Sequence, residues 1–380
     1  MSKIRIETLT PVHIGSGNML YENLDFVQVN IKKVPHIAVI SEEKVWKVLG
    51  EQHLDNWMEA ISKRENLSLF LDKFAPDAKS SDYSKRRIPF LCTPSNYPDI
   101  LKECIHNGLG VPYIPGSSIK GAIRTAILAS LANNVQNKEE KIYYRRRYDD
   151  ELPNNKNTKA DNIERELFAN NAPQKIYPNS DAFRFIQVGD AYFENGVEII
   201  TRLVNLNFRH NKDNLQDTSK SQIVEAIGKE AESEFQLKVS KEYYDFVKKN
   251  YPQVGNLPIS SICDLFSLIN EHTRKLVEDE INYWNEIEKI GGESYMEELQ
   301  KILQEINQCE AGKSCVLRIG HASGWRFITG AWTEELTNFE DVVVPASRPE
   351  NNKNYKDYDF PKTRRVDNDS YILGFVKLTM

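Results

Sequence analysis

The chain of 380 residues carries a formal net charge of −6, with 40% hydrophobic and 27% charged residues, enough chain for about two domains with cores of their own. That charge excludes a protein that coats nucleic-acid duplexes, which needs a broadly basic surface, and leaves room for a narrow RNA groove on an acidic body. No run reaches the length of a membrane span, the first residues show no basic-then-apolar signal, and Cys92, Cys104, Cys263, Cys309 and Cys315 lack Cys-x-x-Cys spacing, which argues against a zinc knuckle or disulfide frame and points to the cytoplasm with reduced thiols.

Ile4, Ile6 and Thr8 alternate with Arg5 and Glu7, the pattern of a half-buried strand. His13 to Asn18 reads as a turn, with Gly15 and Gly17 supplying backbone freedom. Strands are expected over 25–31 and 34–40, joined by Lys32-Lys33. Ser41 should cap a helix to about Lys63, followed by a second helix from Leu67 to Phe74. Pro76 to Arg87 is polar and reads as a mobile loop, with a short strand after it at 88–92.

Pro115-Gly116 then makes a turn, and Ser117 or Ser118 can cap a helix running to about Asn133. Ile119, Ile123, Ile127 and Leu131 give that helix one buried face. Lys120 and Arg124, one turn apart, share another face, and Gly121 leaves room beside them. Free amides, small residues and two cations at a helix start suit a phosphate. Capping alone explains Pro-Gly-Ser equally well, so the residues leave both readings open. Neither a Walker loop nor the dinucleotide glycine pattern is present.

The stretch from Asn134 to Pro178, containing Tyr143-Tyr144-Arg145-Arg146-Arg147-Tyr148, reads as a long surface excursion whose rings and arginines suit unpaired bases. Strands at 183–188 and 197–206 read as a hairpin around Asn195-Gly196, with another strand at 234–239. Helices are expected over 241–250, 260–290 and 294–309, interrupted by Gly291-Gly292. Strand 316–319 runs into a second glycine-rich loop, Gly320-His321-Ala322-Ser323-Gly324, with Arg318 beside it. Ser347 to Pro361 is polar, Lys362-Thr363-Arg364-Arg365 is a basic cluster, and 371–378 closes the chain as a strand.

Residues 115–125, P-G-S-S-I-K-G-A-I-R-T, resemble the signature of the RAMP superfamily, the repeat-associated proteins of CRISPR ribonucleoproteins. Leu9 to Gly17, Phe185 to Asp190, Pro361 to Arg365 and Leu373 to Lys377 are similar to further segments of that family. The resemblance spans the chain and is nearest to the subunit that caps the 3′ end of the guide RNA in type III-A (Csm) effector complexes. It implies an α+β fold of two ferredoxin-like (RRM-like) domains with helical insertions. The first is expected at 1–175, with an insertion at 134–178. The second is expected at 176–380, with a helical insertion at 241–310.

It also implies an RNA-binding set: His13, Gly15, Ser16 and Gly17; Gly116, Ser117, Ser118, Lys120, Gly121 and Arg124; Arg318, Gly320, His321 and Gly324; Lys362, Arg364 and Arg365. The implied partners are the guide RNA with target RNA beside it, the backbone RAMP subunit, the small helical subunit and recruited host nucleases. No membrane, cofactor or metal is expected.

Related repeat-processing endoribonucleases use an imidazole to activate a 2′-hydroxyl, and His13 stands where such a base would stand. The competing enzyme reading is therefore a metal-independent endoribonuclease with His13 as general base. Single histidines serve binding or structure more often than catalysis, so the leading reading assigns no catalytic residue. The seven histidines show no H-x-x-x-H pair, and Asp190 is expected to fix the turn after its strand.

Overall fold

In a computed structural model, the chain is described apart from residues 91–99, 134–167, 169–178, 208–214, 288–291, 336–338, 340–343, 345–359 and 362. The first half forms β1 (Ser2–Thr8), β2 (Gly15–Tyr21), β3 (Phe26–Ile31), β4 (Val34–Ile40), α1 (Glu42–Leu49), α2 (Leu54–Ser62), α3 (Leu67–Phe74), α4 (Ser80–Tyr83), β5 (Ser84–Pro89), β6 (Ile100–Cys104), β7 (Tyr113–Ile114) and α5 (Gly116–Asn133). The second half adds β8 (Ile186–Val188), β9 (Ala191–Tyr192), β10 (Glu198–Asn207), β11 (Gln216–Ile227), β12 (Glu232–Val239) and α6 (Lys241–Asn250). It ends with α7 (Ile262–Ile287), α8 (Glu293–Gln308), β13 (Ser314–Arg318), β14 (Thr363–Asp367) and β15 (Phe375–Thr379).

The alternation of Ile4 and Ile6 buries one face of β1 completely. That strand pairs antiparallel with β12 on one side and β15 on the other. The sheet order β13-β15-β1-β12-β8, with α5 after β1 and α7 after β12, contains the β15-β1-β12-β8 order of a ferredoxin-like unit. Ile119, Ile123 and Ile127 of α5 and Leu265, Phe266 and Ile269 of α7 fill the core over this sheet. A second sheet runs β14-β10-β11-β6-β2. Val204, Leu206 and Val366 on one of its faces pack against α7 and α8. At the other end of that face, Leu101, Ile200 and Ile223 meet the small β3-β4-β5 sheet through Phe26, Ile37 and Ile88.

Both five-stranded sheets draw strands from both halves of the chain, so the division expected at 175/176 runs through them. The closing strand β15 completes the pairing of β1, about 370 residues apart along the chain, which local patterning cannot report.

Several local expectations are corrected. Gly15 to Asn18 is not a free turn but the start of β2, paired to β6 with an irregularity between Gly15 and Met19. The helix expected from Ser41 to Lys63 is two, because Gly50, at φ 72°, ends α1 and gives its N–H to Trp46 O at 2.8 Å. Ser41 makes no side-chain cap. The polar run 76–87 contains α4 and most of β5, an edge strand of its sheet. The 183–188 and 197–206 strands do not pair: β8 joins β12 in one sheet while β10 joins β11 and β14 in the other. The Lys32-Lys33 turn forms as read, with both residues at positive φ. The Tyr143–Tyr148 stretch and Lys362 lie outside the described residues, as does nearly all of the expected insertion 134–178.

Candidate nucleic-acid interface

The two glycine-rich loops, three hundred residues apart, meet. The amide of His321 donates to the carbonyl of His13 at 2.9 Å. Gly320 sits at φ 80°, and a Cβ there would lie 2.7 Å from that same carbonyl and 2.9 Å from Ile14 Cδ1, so only glycine closes the junction. The His13 and His321 rings face each other edge-on, 5.7 Å apart.

His13 is buried, 3% exposed. Its Nδ1 lies 2.6 Å from the carbonyl of Glu225; a carbonyl only accepts, so Nδ1 carries the proton and Nε2 is the ring's acceptor. A Cβ on Gly15 would stand 3.3 Å from that Nε2. Burial lowers the His13 pKa, the Glu225 carbonyl works against that, and the Lys102 charge lowers it further. Burial, then His13, Lys102 and Arg365, push His321 down to about 4. Both rings are therefore neutral at physiological pH, and the charge of the site resides on neighbouring cations.

Strand alternation identifies those cations. Lys102 on β6 is in register with Val224 on β11, and Arg365 on β14 with Asn205 on β10. Arg365 reaches Gln222 Oε1 at 3.2 Å, Asn205 Oδ1 at 3.4 Å and His321 Nε2 at 3.5 Å. Lys102 forms no ion pair among the described residues. Met19 and Tyr21, both exposed, pair in register with Lys102 and Ile100 and share their face. Gly15, Gly17 and Gly324 are exposed at its margin, and a Cβ on Gly17 or Gly324 would meet nothing within 4 Å. The result is a sheet face with bare glycine backbone, two cations and apolar side chains, able to hold a sugar-phosphate strand with its bases resting alongside.

Three of the expected RNA contacts are already engaged within the protein. Arg318 is buried between the rings of Phe327 and Phe375, each 4.8 Å from its guanidinium, and donates to the carbonyls of Leu373 and Ala322. Arg364 is buried against Glu280. Arg124 pairs with Asp181 at 3.1 Å and stacks on Phe168 at 4.0 Å. Their charge was legible in the sequence; their engagement by these partners was not.

The signature helix also starts earlier than expected. Its first free amide, Gly116 N–H, already donates to Asp190 Oδ1 at 2.7 Å, while Ser118 N–H bonds Pro115 O. Asp190 is thus a long-range cap as well as a local tie, its other oxygen accepting from the Tyr192 hydroxyl at 3.1 Å. A Cβ on Gly116 would press into the carbonyl of Val188 and lie 2.7 Å from that of Gly189. Gly116→Ala should therefore destabilise the protein by about 1–3 kcal/mol, read from urea unfolding midpoints. An unchanged midpoint would show that this close approach relaxes. Ser117 and Gly121 are exposed, and the Lys120 ammonium lies 5.2 Å over Phe183, so the outer side of this first turn stays accessible.

On the opposite face of the second sheet, ligand atoms of Glu103, His106 and Glu225 come within 4.8 Å of one another. Arg86 bridges the two carboxylates, at 2.7 and 2.9 Å to Glu225 and 3.0 Å to Glu103. Arg86 offsets one of the two negative charges, the Cys104 amide donates to Glu225 Oε2 at 3.0 Å, and the network fixes the strand whose carbonyl orients His13. Sequence reading missed Lys102, Gln222 and Glu225, because only the β6–β11 and β10–β14 pairings bring them to the loops.

Comparison with known proteins places these features in context. The sequence profile of the RAMP superfamily matches residues 5–327. A CRISPR-system protein from Methanocaldococcus jannaschii described as Csm5 is 26% identical over all of this chain and 88% of its own length. Its Streptococcus thermophilus counterpart is 29% identical over 33% of this chain and 37% of its own length. Among solved structures, a chain of the cryo-electron-microscopy structure of a Csm–crRNA–target RNA ternary complex from a type III-A CRISPR–Cas system superposes with a TM-score of 0.74 at 20% identity, over the whole of both chains. The crystal structure of T. onnurineus Csm5 superposes with a TM-score of 0.67 at 18% identity, over 98% of this chain and 99% of that one.

Proposed function

This chain belongs to the RAMP superfamily, and on that premise we propose that it is a non-catalytic, RNA-binding subunit of a type III-A CRISPR (Csm) ribonucleoprotein that caps the 3′ end of the guide RNA. The full-length likeness to Csm5 supports the complex and the subunit. The observation that carries RNA binding is the junction of the two glycine loops over the Lys102–Arg365 sheet face. There Gly15, Gly17, His321 and Gly324 offer backbone and uncharged ring, while Lys102 and Arg365 neutralise phosphates. Ser117, Lys120 and Gly121 extend the contact at the signature helix. The backbone RAMP subunit and the small helical subunit dock beside the guide in the cytoplasm, and recruited host nucleases trim its end.

The competing endoribonuclease reading needs a base and an acid in one site. His13 has the right tautomer for a base, but it is buried, and His321, pushed down to about 4, offers no acid at neutral pH. Purified protein incubated with repeat RNA in EDTA is expected to leave it intact. Cleavage that yields a 2′,3′-cyclic phosphate and disappears in His13→Ala would establish the enzyme instead.

Neutral histidines make a second prediction. Affinity for guide-end RNA, followed by fluorescence anisotropy, should stay flat between about pH 7 and 8 at fixed salt. A tenfold gain on acidification through that window would show that an imidazolium holds the phosphate. The contact should weaken steeply with salt and depend little on sequence.

A further inference from the structure

A groove of about 680 Å³ lies along the edge strand β5, lined by Lys44, Lys85, Arg86 and Arg87 and, across from them, by Leu109-Gly110 and Asn195-Gly196. It lies on the far side of the second sheet from the glycine loops. Lys102 and Val224 point to the loops' side, while their neighbours Glu103 and Glu225 point the other way and are held by Arg86. In a chain of net charge −6, this groove concentrates cations. Glu198 is the one acid among its described lining residues, and that carboxylate is already engaged by His106. Arg86 is matched by Glu225 and Glu103, and Lys44 donates to the carbonyl of Ser84 at 2.7 Å. Lys85 and Arg87 are exposed and form no ion pair among the described residues.

We propose that this groove is a second RNA site, which holds the phosphodiester backbone of a single strand on the opposite face of the sheet from the glycine loops. The lining favours phosphate over a protein segment. Its groups are ammonium, guanidinium and a side-chain amide, donors that bind phosphate oxygens, whereas the Ser81 and Ser84 hydroxyls and the Gly110 and Gly196 amides already donate within the protein. Ile88 and Leu109 are its apolar members among the described residues, and none of these lining residues carries an aromatic ring to anchor a peptide or to stack a base. Binding here is therefore through the backbone and independent of sequence. The site stands whether or not the loop face binds RNA.

The test counts short strands on the full-length protein. A fluorescein-labelled octa-uridylate is titrated at low salt against wild type, Lys85→Ala/Arg87→Ala and the loop-face variant Lys102→Ala/Arg365→Gln, with thermal unfolding as the fold control. Wild type is expected to take two oligonucleotides, and each variant one. The strand that remains on the loop-face variant should show a steeper salt dependence than it does once the groove cations are also removed, by about 1.4 in log–log slope for two lost contacts. If the loop-face variant alone keeps its full count, the loop placement fails and the groove stands. If the groove variant keeps wild-type count and affinity, Lys85 and Arg87 serve only to keep the β5 edge from pairing, and the proposal is overturned. Displacement by an octaglutamate peptide of equal length at lower concentration than the RNA would overturn it in favour of an acidic protein partner.

Discussion

Glu280→Ala is expected to destabilise the protein by about 3–5 kcal/mol, the usual cost of removing one member of a buried ion pair. Glu280 is the single carboxylate that receives Arg364 through two nitrogens, Arg326 at 2.9 Å, Trp284 Nε1 at 3.0 Å and the Tyr295 hydroxyl at 3.0 Å. Burial alone would push its carboxyl pKa up, but Arg364 and Arg326 beside it hold the balance below the ordinary value of 4.5. A carboxyl depressed in the folded state contributes stability that is complete above its unfolded pKa and is lost as pH falls through the folded one. The variant's deficit should accordingly be full at neutral pH and shrink at strongly acidic pH. Removing Glu280 together with its most buried cation, as in Glu280→Leu/Arg364→Leu, should recover part of the loss, because Arg364 is then not left buried without a partner and Arg326 keeps Glu334 at 3.1 Å. Urea titrations at neutral and acidic pH read both effects. A loss under about 1 kcal/mol would mean the cluster behaves like a solvent-screened surface pair. Arg364 comes from the basic run beside the glycine loops, so this network also fixes β14 and with it Arg365.

The second large effect concerns RNA. Lys102→Ala combined with Arg365→Gln should weaken binding of guide-end RNA on the order of 100-fold, since a hydrogen bond to a charged group contributes about 1.5–3 kcal/mol and 1.4 kcal/mol is tenfold. The salt dependence should flatten by about 1.4 in log–log slope as two phosphate contacts disappear. Glutamine at 365 keeps an amide able to reach Asn205 and Gln222, so unfolding midpoints should hold. Wild-type affinity with the fold intact would remove the loop face from the interface.

The two predictions bear on how much the sequence reveals. Local periodicity and turn chemistry were legible: the Ile4–Ile6 alternation, the Lys32-Lys33 turn and the isoleucine face of α5 all form as their residues dictate. The signature motif likewise identified the superfamily. What chain order conceals is partnership. Arg318, Arg364 and Arg124 read as free cations until folding brings Phe375, Glu280 and Asp181 to them. Gly116 reads as an anion cradle, yet its amide belongs to Asp190, seventy-four residues on. Lys102 has no motif around it and becomes a site residue only because β6 lies parallel to β11. The polar opening of β11, Gln216 to Ser221, hides a strand whose later residues, Ile223 to Ile227, are buried on both faces. Glycine and charge mark where a chain can meet RNA, and tertiary pairing decides which of those charges are left to do it.

Photo-crosslinking of the assembled ribonucleoprotein, with 4-thiouridine placed at the last nucleotides of the guide, tests the central claim most directly. Crosslinked peptides are expected to contain Gly15 to Tyr21 and Gly320 to Gly324, together in the same particles. Crosslinks from the guide's 3′ end that fall on neighbouring subunits and never on these two loops would contradict it.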